Sequence, residues 1–161
     1  MTTRKKTVLI VDDESVQRAW MRGILKRQGY AVLEASDYSD ALSVKARSDE
    51  NIDLFLIDLR LPGGSGYDLS EELMKSHPAS KILFVSGTAG AELCKYFATP
   101  LPDVQFLHKP FEAAQLSERV REIFRAPTET LIANASANMT AVDELPAFRT
   151  VHSNSKRQGK C

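Results

Sequence analysis

The chain has 161 residues, 43% of them hydrophobic, and its 21 basic and 21 acidic residues cancel. That size suits one globular domain with an appendage, and neutrality argues against a nucleic-acid binder driven by bulk charge, which needs an excess of Lys and Arg. The two cysteines, Cys94 and Cys161, are spaced for neither a disulfide framework nor a zinc site, which fits a reducing cytosol. No run approaches the roughly 20 apolar residues of a membrane span, and the polar, basic start does not read as a signal peptide.

The run Val8-Leu9-Ile10-Val11 predicts a first strand over 7–11, which ends in Asp12-Asp13-Glu14. An amphipathic helix is predicted over 14–28, with Val16, Trp20, Ile24 and Arg27 tracing one stripe. A strand at 31–35 and a helix at 37–47 follow. The third strand, 53–57, runs into Asp58 and then into the loop Leu59-Arg60-Leu61-Pro62-Gly63, before a helix at 66–76. A strand at 81–86 ends in Ser86-Gly87, and a helix is predicted at 89–97. The last strand, 104–107, contains Phe106 and runs on to Lys109-Pro110, and a helix at 111–125 carries the stripe Ala113, Leu116, Val120 and Phe124. Five strand–helix units in order predict an α/β fold, a doubly wound five-stranded parallel sheet with five helices on its two faces. After Arg125 the chain becomes rich in Ala, Thr, Asn and Ser. Residues 126–161 are expected to be a polar, flexible tail on a domain spanning 1–125, with a short helix somewhere between Glu129 and Glu144.

Four strand ends thus carry acid, acid, hydroxyl and amine. Open parallel sheets gather their chemistry at the carboxyl ends of the strands. If the first and third strands are neighbours, Asp12, Asp13 and Asp58 lie close together. Two carboxylates about 4 Å apart repel by about 4 kcal/mol at an effective dielectric of about 20. Such a cluster needs a cation or shifted protonation. The ligands are hard oxygens without Cys or His, which favours Mg2+, with Asp13 and Asp58 as direct ligands, the backbone carbonyl of Arg60 as a third and Asp12 acting through water. A carboxylate can also attack phosphorus. Phosphoryl transfer then needs alignment and charge neutralisation, for which Lys109 offers a cation and Ser86 a donor. Each residue has a plainer reading as well. Asp12-Asp13 could cap the following helix, Asp58 at its strand end could be only a helix cap, Lys109 a solvated lysine and Ser86 a turn residue. The functional reading rests on all four occurring together.

These stretches, from Val8 to Glu14, Leu56 to Gly66, Val85-Ser86-Gly87 and Leu107-His108-Lys109-Pro110-Phe111, resemble the receiver domain of bacterial two-component response regulators over roughly residues 5–125. The resemblance implies a flavodoxin-like sheet of order 2-1-3-4-5, with Asp58 as phospho-acceptor and Asp12 and Asp13 as the metal-binding acid pair. It also implies Ser86 and Lys109 as phosphate contacts, Phe106 as an aromatic switch facing the surface of the fourth and fifth helices, and a cis bond before Pro110. Arg60 and Thr88 are expected to flank the phosphate and tune its lifetime. The implied partners are a histidine kinase or histidine phosphotransfer protein, docked on the first helix near Ser15, Arg18, Ala19 and Arg22, and a downstream effector protein. Direct nucleic-acid binding and membrane insertion are not implied. The protein is expected to be cytoplasmic, a monomer or phosphorylation-dependent dimer, and no enzyme beyond its own phosphorylation and dephosphorylation.

The tail is too short for a winged helix or helix-turn-helix, so a stand-alone regulator is expected. A phosphorelay shuttle, a phosphate sink and a receiver from a larger hybrid kinase or regulator are the alternatives. A haloacid-dehalogenase-type phosphatase is the rival from another class, but it wants Asp-x-Asp after the first strand, and here the two acids are adjacent. A third reading is an interaction module that is never phosphorylated.

Overall fold

The computed structural model of the protein describes residues 3–87 and 106–126. The elements in chain order are β1 (Thr7–Val11), α1 (Ser15–Arg27), β2 (Ala31–Ala35), α2 (Tyr38–Arg47), β3 (Leu54–Asp58), β4 (Arg60–Leu61), β5 (Gly64–Ser65), α3 (Gly66–Ser76), β6 (Lys81–Ser86), β7 (Phe106–His108) and α4 (Ala113–Arg125). The main sheet has the order β2-β1-β3-β6-β7, and every pairing in it is parallel. This is the expected doubly wound sheet. The helix predicted at 89–97, the start of the strand predicted at 104–107 and the tail from 127 onward lie outside the described residues, so four of the five expected helices are seen.

Alternation along the strands divides the core into two layers. Val8, Ile10, Leu54, Leu56, Leu83, Val85 and Leu107 point to one face, where Met21, Ile24 and Leu25 of α1 and Leu116, Val120 and Ile123 of α4 cover them. Leu9, Val11, Phe55, Ile57, Phe84 and Phe106 point to the other, against Ala41 of α2 and Leu69 and Leu73 of α3. Full burial of one such aliphatic side chain is worth about 1.5–3 kcal/mol. The stripe predicted for α4 holds, with Ile123 added. The stripe predicted for α1 does not. Val16 is 82% and Trp20 40% exposed, and the buried positions are Met21, Ile24 and Leu25. Val16 and Trp20 instead line an open pocket with Lys109 and Phe111.

Local signals set the helix starts. Asp37 accepts from Asp40 N–H at 2.8 Å to cap α2, and Ser65 accepts from Asp68 N–H at 3.0 Å to cap α3. Lys81, at the start of β6, donates to the carbonyls of Ile123 (2.5 Å) and Ala126 (2.6 Å), satisfying acceptors that the end of α4 leaves open. The loop after Asp58 contains a small antiparallel hairpin that the sequence reading took for open loop, pairing Arg60 with Ser65 and Leu61 with Gly64. Pro62 followed by Gly63 at φ +85° has the order of a type II turn.

Gly66 sits where this hairpin returns to start α3. A Cβ built there would lie 2.1 Å from the Asp58 carbonyl oxygen, so only glycine lets α3 begin this close to the end of β3. Gly66→Ala is expected to destabilise the fold by roughly 1–3 kcal/mol in denaturant unfolding. Wild-type stability in this variant would contradict the close approach.

Candidate functional site

The parallel register brings the chemistry to one edge. Val11 pairs with Ile57, so Asp12 and Asp58 leave neighbouring strands side by side. Ser86 pairs with His108, and Lys109 N–H donates to the Ser86 carbonyl at 2.9 Å. The bond between Lys109 and Pro110 is cis. Asp12, Asp58 and Ser86 are all buried, whereas Asp13 and Arg60 are exposed.

Asp12 and Asp58 are held in the same way. Each uses Oδ1 to accept the backbone N–H two residues on, Glu14 N–H for Asp12 and Arg60 N–H for Asp58, both at 2.8 Å. Each turns Oδ2 to Lys109, whose Nζ stands 2.9 Å from Asp12 and 2.5 Å from Asp58. Neither acid is the helix cap of the plainer reading, since Glu14 is the N-cap of α1 without a side-chain bond and Ser65 caps α3. One oxygen of each closes its own turn, and the other faces a shared cation that is 97 residues away in sequence from Asp12. Lys109 is not a solvated surface lysine. Its side chain is 13% exposed and spans two carboxylates.

Asp12, Asp13 and Asp58 each offer a carboxylate oxygen, and the three lie within 4.8 Å of one another. Three carboxylates against one ammonium leave the site short of positive charge. Burial, joined by the charge of Asp12, pushes the Asp58 carboxyl above its ordinary value despite the hydrogen bonds from Lys109 and Arg60. Burial alone would pull the Lys109 ammonium down, but its hydrogen bonds to Asp58 and Asp12 outweigh that and raise it. An all-oxygen acidic set with unbalanced charge fits a hard divalent cation such as Mg2+. An open pocket lined by Asp13, Arg60, Leu61 and Ser65 lies beside these acids.

The remaining expected site residues divide. Phe106 is on the sheet face opposite α1 and α4, as alternation from Leu107 requires, and the helix expected just before its strand lies outside the described residues. Phe106 itself is 8% exposed, in one cluster with Phe84, and its ring meets His108 edge-on at 4.5 Å. Thr88 lies outside the described residues. Of the expected docking positions on α1, Arg18 and Arg22 both reach Glu34 of β2, Arg22 at 2.7 Å and Arg18 at 3.5 Å, and Arg18 also donates to the Asp12 carbonyl at 2.6 Å. Sequence reasoning missed Glu34, because nothing in an intermediate strand position marks it as a partner for two arginines. It also missed the apolar mouth beside the site, an open pocket of about 640 Å3 lined by Val16, Trp20, Lys109 and Phe111 among others, in which the Trp20 and Phe111 rings lie 5.7 Å apart.

The sequence pattern of the response regulator receiver domain matches residues 8–121. Among curated proteins, sensor kinase CckA of Brucella abortus is 38% identical over 120 residues, 73% of this chain and 12% of that protein. Transcriptional regulatory protein CpxR of Klebsiella pneumoniae is 31% identical over 118 residues, 73% of this chain and 49% of that protein. The chain therefore spans about half the length, or less, of these relatives. Among solved structures, a CheY-like receiver domain protein from Methanospirillum hungatei covers 74% of this chain and 93% of its own, at 28% identity and a TM-score of 0.63. The non-phosphorylated HemR receiver domain from Leptospira biflexa covers 76% and 97%, at 29% identity and a TM-score of 0.65. Among the described residues, no helix is long and apolar enough to cross a membrane.

The raised Asp58 pKa means that folding disfavours its ionised form. That cost is present in full above the folded pKa, shrinks as pH falls through it, and is gone below the ordinary value of 3.8. Without divalent cation, Asp58→Asn is therefore expected to melt above wild type at pH 7, with the gap closing as the pH is lowered. Thermal melts across this range check it, and a variant that melts below wild type at pH 7 would contradict it.

Proposed function

Because the chain belongs to the response regulator receiver domain family, we propose that it accepts a phosphoryl group on Asp58 from a histidine kinase or histidine phosphotransfer protein and signals through a protein contact. The observation that supports this best is the convergence of Asp12, Asp13 and Asp58 within 4.8 Å around the Lys109 ammonium. In the transfer, an Asp58 carboxylate oxygen forms a bond to phosphorus as the bond from phosphorus to the donor's imidazole nitrogen breaks. The nitrogen keeps the electron pair and takes a proton. Asp12, Asp13 and Asp58, with the Arg60 carbonyl, would hold Mg2+. When bound there, it would supply positive charge against the oxygens of the moving group.

The protein's own groups do the rest. Lys109 supplies a fixed positive charge next to the nucleophile. The Arg60 N–H bond holds one carboxylate oxygen in place, and the other, beside Lys109, is the oxygen that attacks phosphorus in this reading. Ser86 offers its hydroxyl to the phosphoryl oxygens, and Arg60 and Thr88 tune how long the adduct lasts. The added phosphoryl group brings a charge of about −1.5 to −2. That charge draws Lys109 and Ser86 toward it and shifts the balance between two arrangements around β7 and α4, with Phe106 as the reporting side chain. The donor protein approaches over the apolar mouth, where Val16 and Trp20 stand beside Lys109. A second reading, a receiver acting within a larger hybrid kinase, is favoured by the similarity to a sensor kinase.

Intact-protein mass after incubation with acetyl phosphate tests the proposal. One phosphoryl adduct that is acid-stable and base-labile, requires Mg2+ and is absent in Asp58→Asn is expected. No adduct under any condition would contradict phosphoryl transfer and favour an unphosphorylated interaction module.

A further inference from the structure

Among the described residues outside the acid cluster, Arg18, Arg22 and Glu34 form a connected set of part-buried charges. Glu34 lies on β2, in register with Ile10 of β1 and so beside the strand that delivers Asp12 and Asp13. One carboxylate oxygen of Glu34 takes Arg22 Nη1 at 2.7 Å, and the other faces Arg18 Nε at 3.5 Å. The opposite side of the same Arg18 guanidinium donates through Nη1 to the Asp12 carbonyl at 2.6 Å. A planar guanidinium holds its five donors in fixed directions on three nitrogens and so can bridge acceptors on opposite sides, whereas the donors of a lysine all radiate from one rotatable nitrogen.

The carbonyl that Arg18 holds is half of the peptide joining Asp12 to Asp13. Fixing it fixes the plane of that peptide and so the direction in which Asp13 leaves the chain. The Asp12 side chain is already tied at both oxygens, to Glu14 N–H and Lys109. Asp13 is exposed. The backbone of Arg18 closes the first turn of α1 on Glu14 at 2.9 Å, so the guanidinium reaches back from a helix that is itself anchored.

We propose that Arg18, held by Glu34, is a positioning residue that sets the Asp12–Asp13 peptide for divalent-cation binding. This rests on the proposed Mg2+ role of the acid triad. Partners that orient metal ligands from behind are commonly worth ten-fold or more in affinity. Arg18→Lys keeps the charge and loses the fork, so it separates geometry from electrostatics. Glu34→Gln keeps Arg18 and loosens its hold, and it keeps the idea testable should Arg18→Lys fold poorly.

The experiment is calorimetric Mg2+ titration of the full chain as wild type, Arg18→Lys, Glu34→Gln and Asp13→Asn, well below each melting temperature. It is paired with acetyl phosphate labelling at rising Mg2+, because a small donor needs no docking on α1. Arg18→Lys is expected to weaken Mg2+ binding about ten-fold, with a smaller loss in Glu34→Gln. Labelling should need correspondingly more Mg2+ but reach the wild-type rate at saturation, a signature that lowered stability alone does not produce. Wild-type Mg2+ affinity in both variants, beside loss of binding in Asp13→Asn, would overturn the positioning role and leave the receiver chemistry standing. No Mg2+ binding by the wild type would overturn both.

Discussion

One ammonium between two buried carboxylates organises this end of the molecule. Lys109 reaches Asp12 and Asp58, residues that arrive on the first and third strands of the main sheet, and it does so from the far end of the chain. Neither carboxylate could be buried this deeply without a partner, since an unpaired buried charge costs far more than its packing returns. Yet one cation does not balance Asp12, Asp13 and Asp58. The site is left with excess negative charge, and burial, joined by a smaller contribution from the charge of Asp12, raises the Asp58 carboxyl. A group that brings compensating positive charge is therefore welcome here.

The fold makes this arrangement through register and turns. Parallel pairing aligns the carboxyl ends of β1, β3 and β6, and each acid then closes its own turn with one oxygen, leaving the other directed inward. Gly66 permits α3 to start against the Asp58 carbonyl, and the Pro62-Gly63 hairpin carries the chain away from the carboxylate. Behind the acids, Arg18 and Glu34 brace the turn from the α1 side. Rigid elements supply the reactive groups, and the space in front of them stays open.

Much of this was legible in the sequence. The strands were marked by β-branched and aliphatic runs that end abruptly at Asp, Asp, Ser and Lys, and their alternation with amphipathic segments implied the parallel sheet. What the sequence obscured follows from contacts between distant residues. Val16 and Trp20 fit a 3.6-residue stripe with Ile24, but periodicity does not tell which apolar positions the sheet covers, and both are exposed. Phe106 is buried in one cluster with Phe84, its partner one strand away, a contact between strands that no local pattern marks. The link between Glu34 and Arg18 joins β2 to α1 across 16 residues through side chains alone, and no local pattern announces it. The Pro62-Gly63 turn did carry a signal, a type II turn pair, which the reading of the loop as merely open passed over.

The charge imbalance at Asp58 is open to direct measurement. Carbon-13 NMR of the side-chain carboxyl, titrated in the full chain without divalent cation, reports its protonation residue by residue. The account requires Asp58 to titrate above the ordinary value of 3.8, and to shift downward when Mg2+ is added. An Asp58 that titrates at or below that value without Mg2+ would mean that the hydrogen bonds from Lys109 and Arg60 outweigh its burial, and would contradict the raised carboxyl.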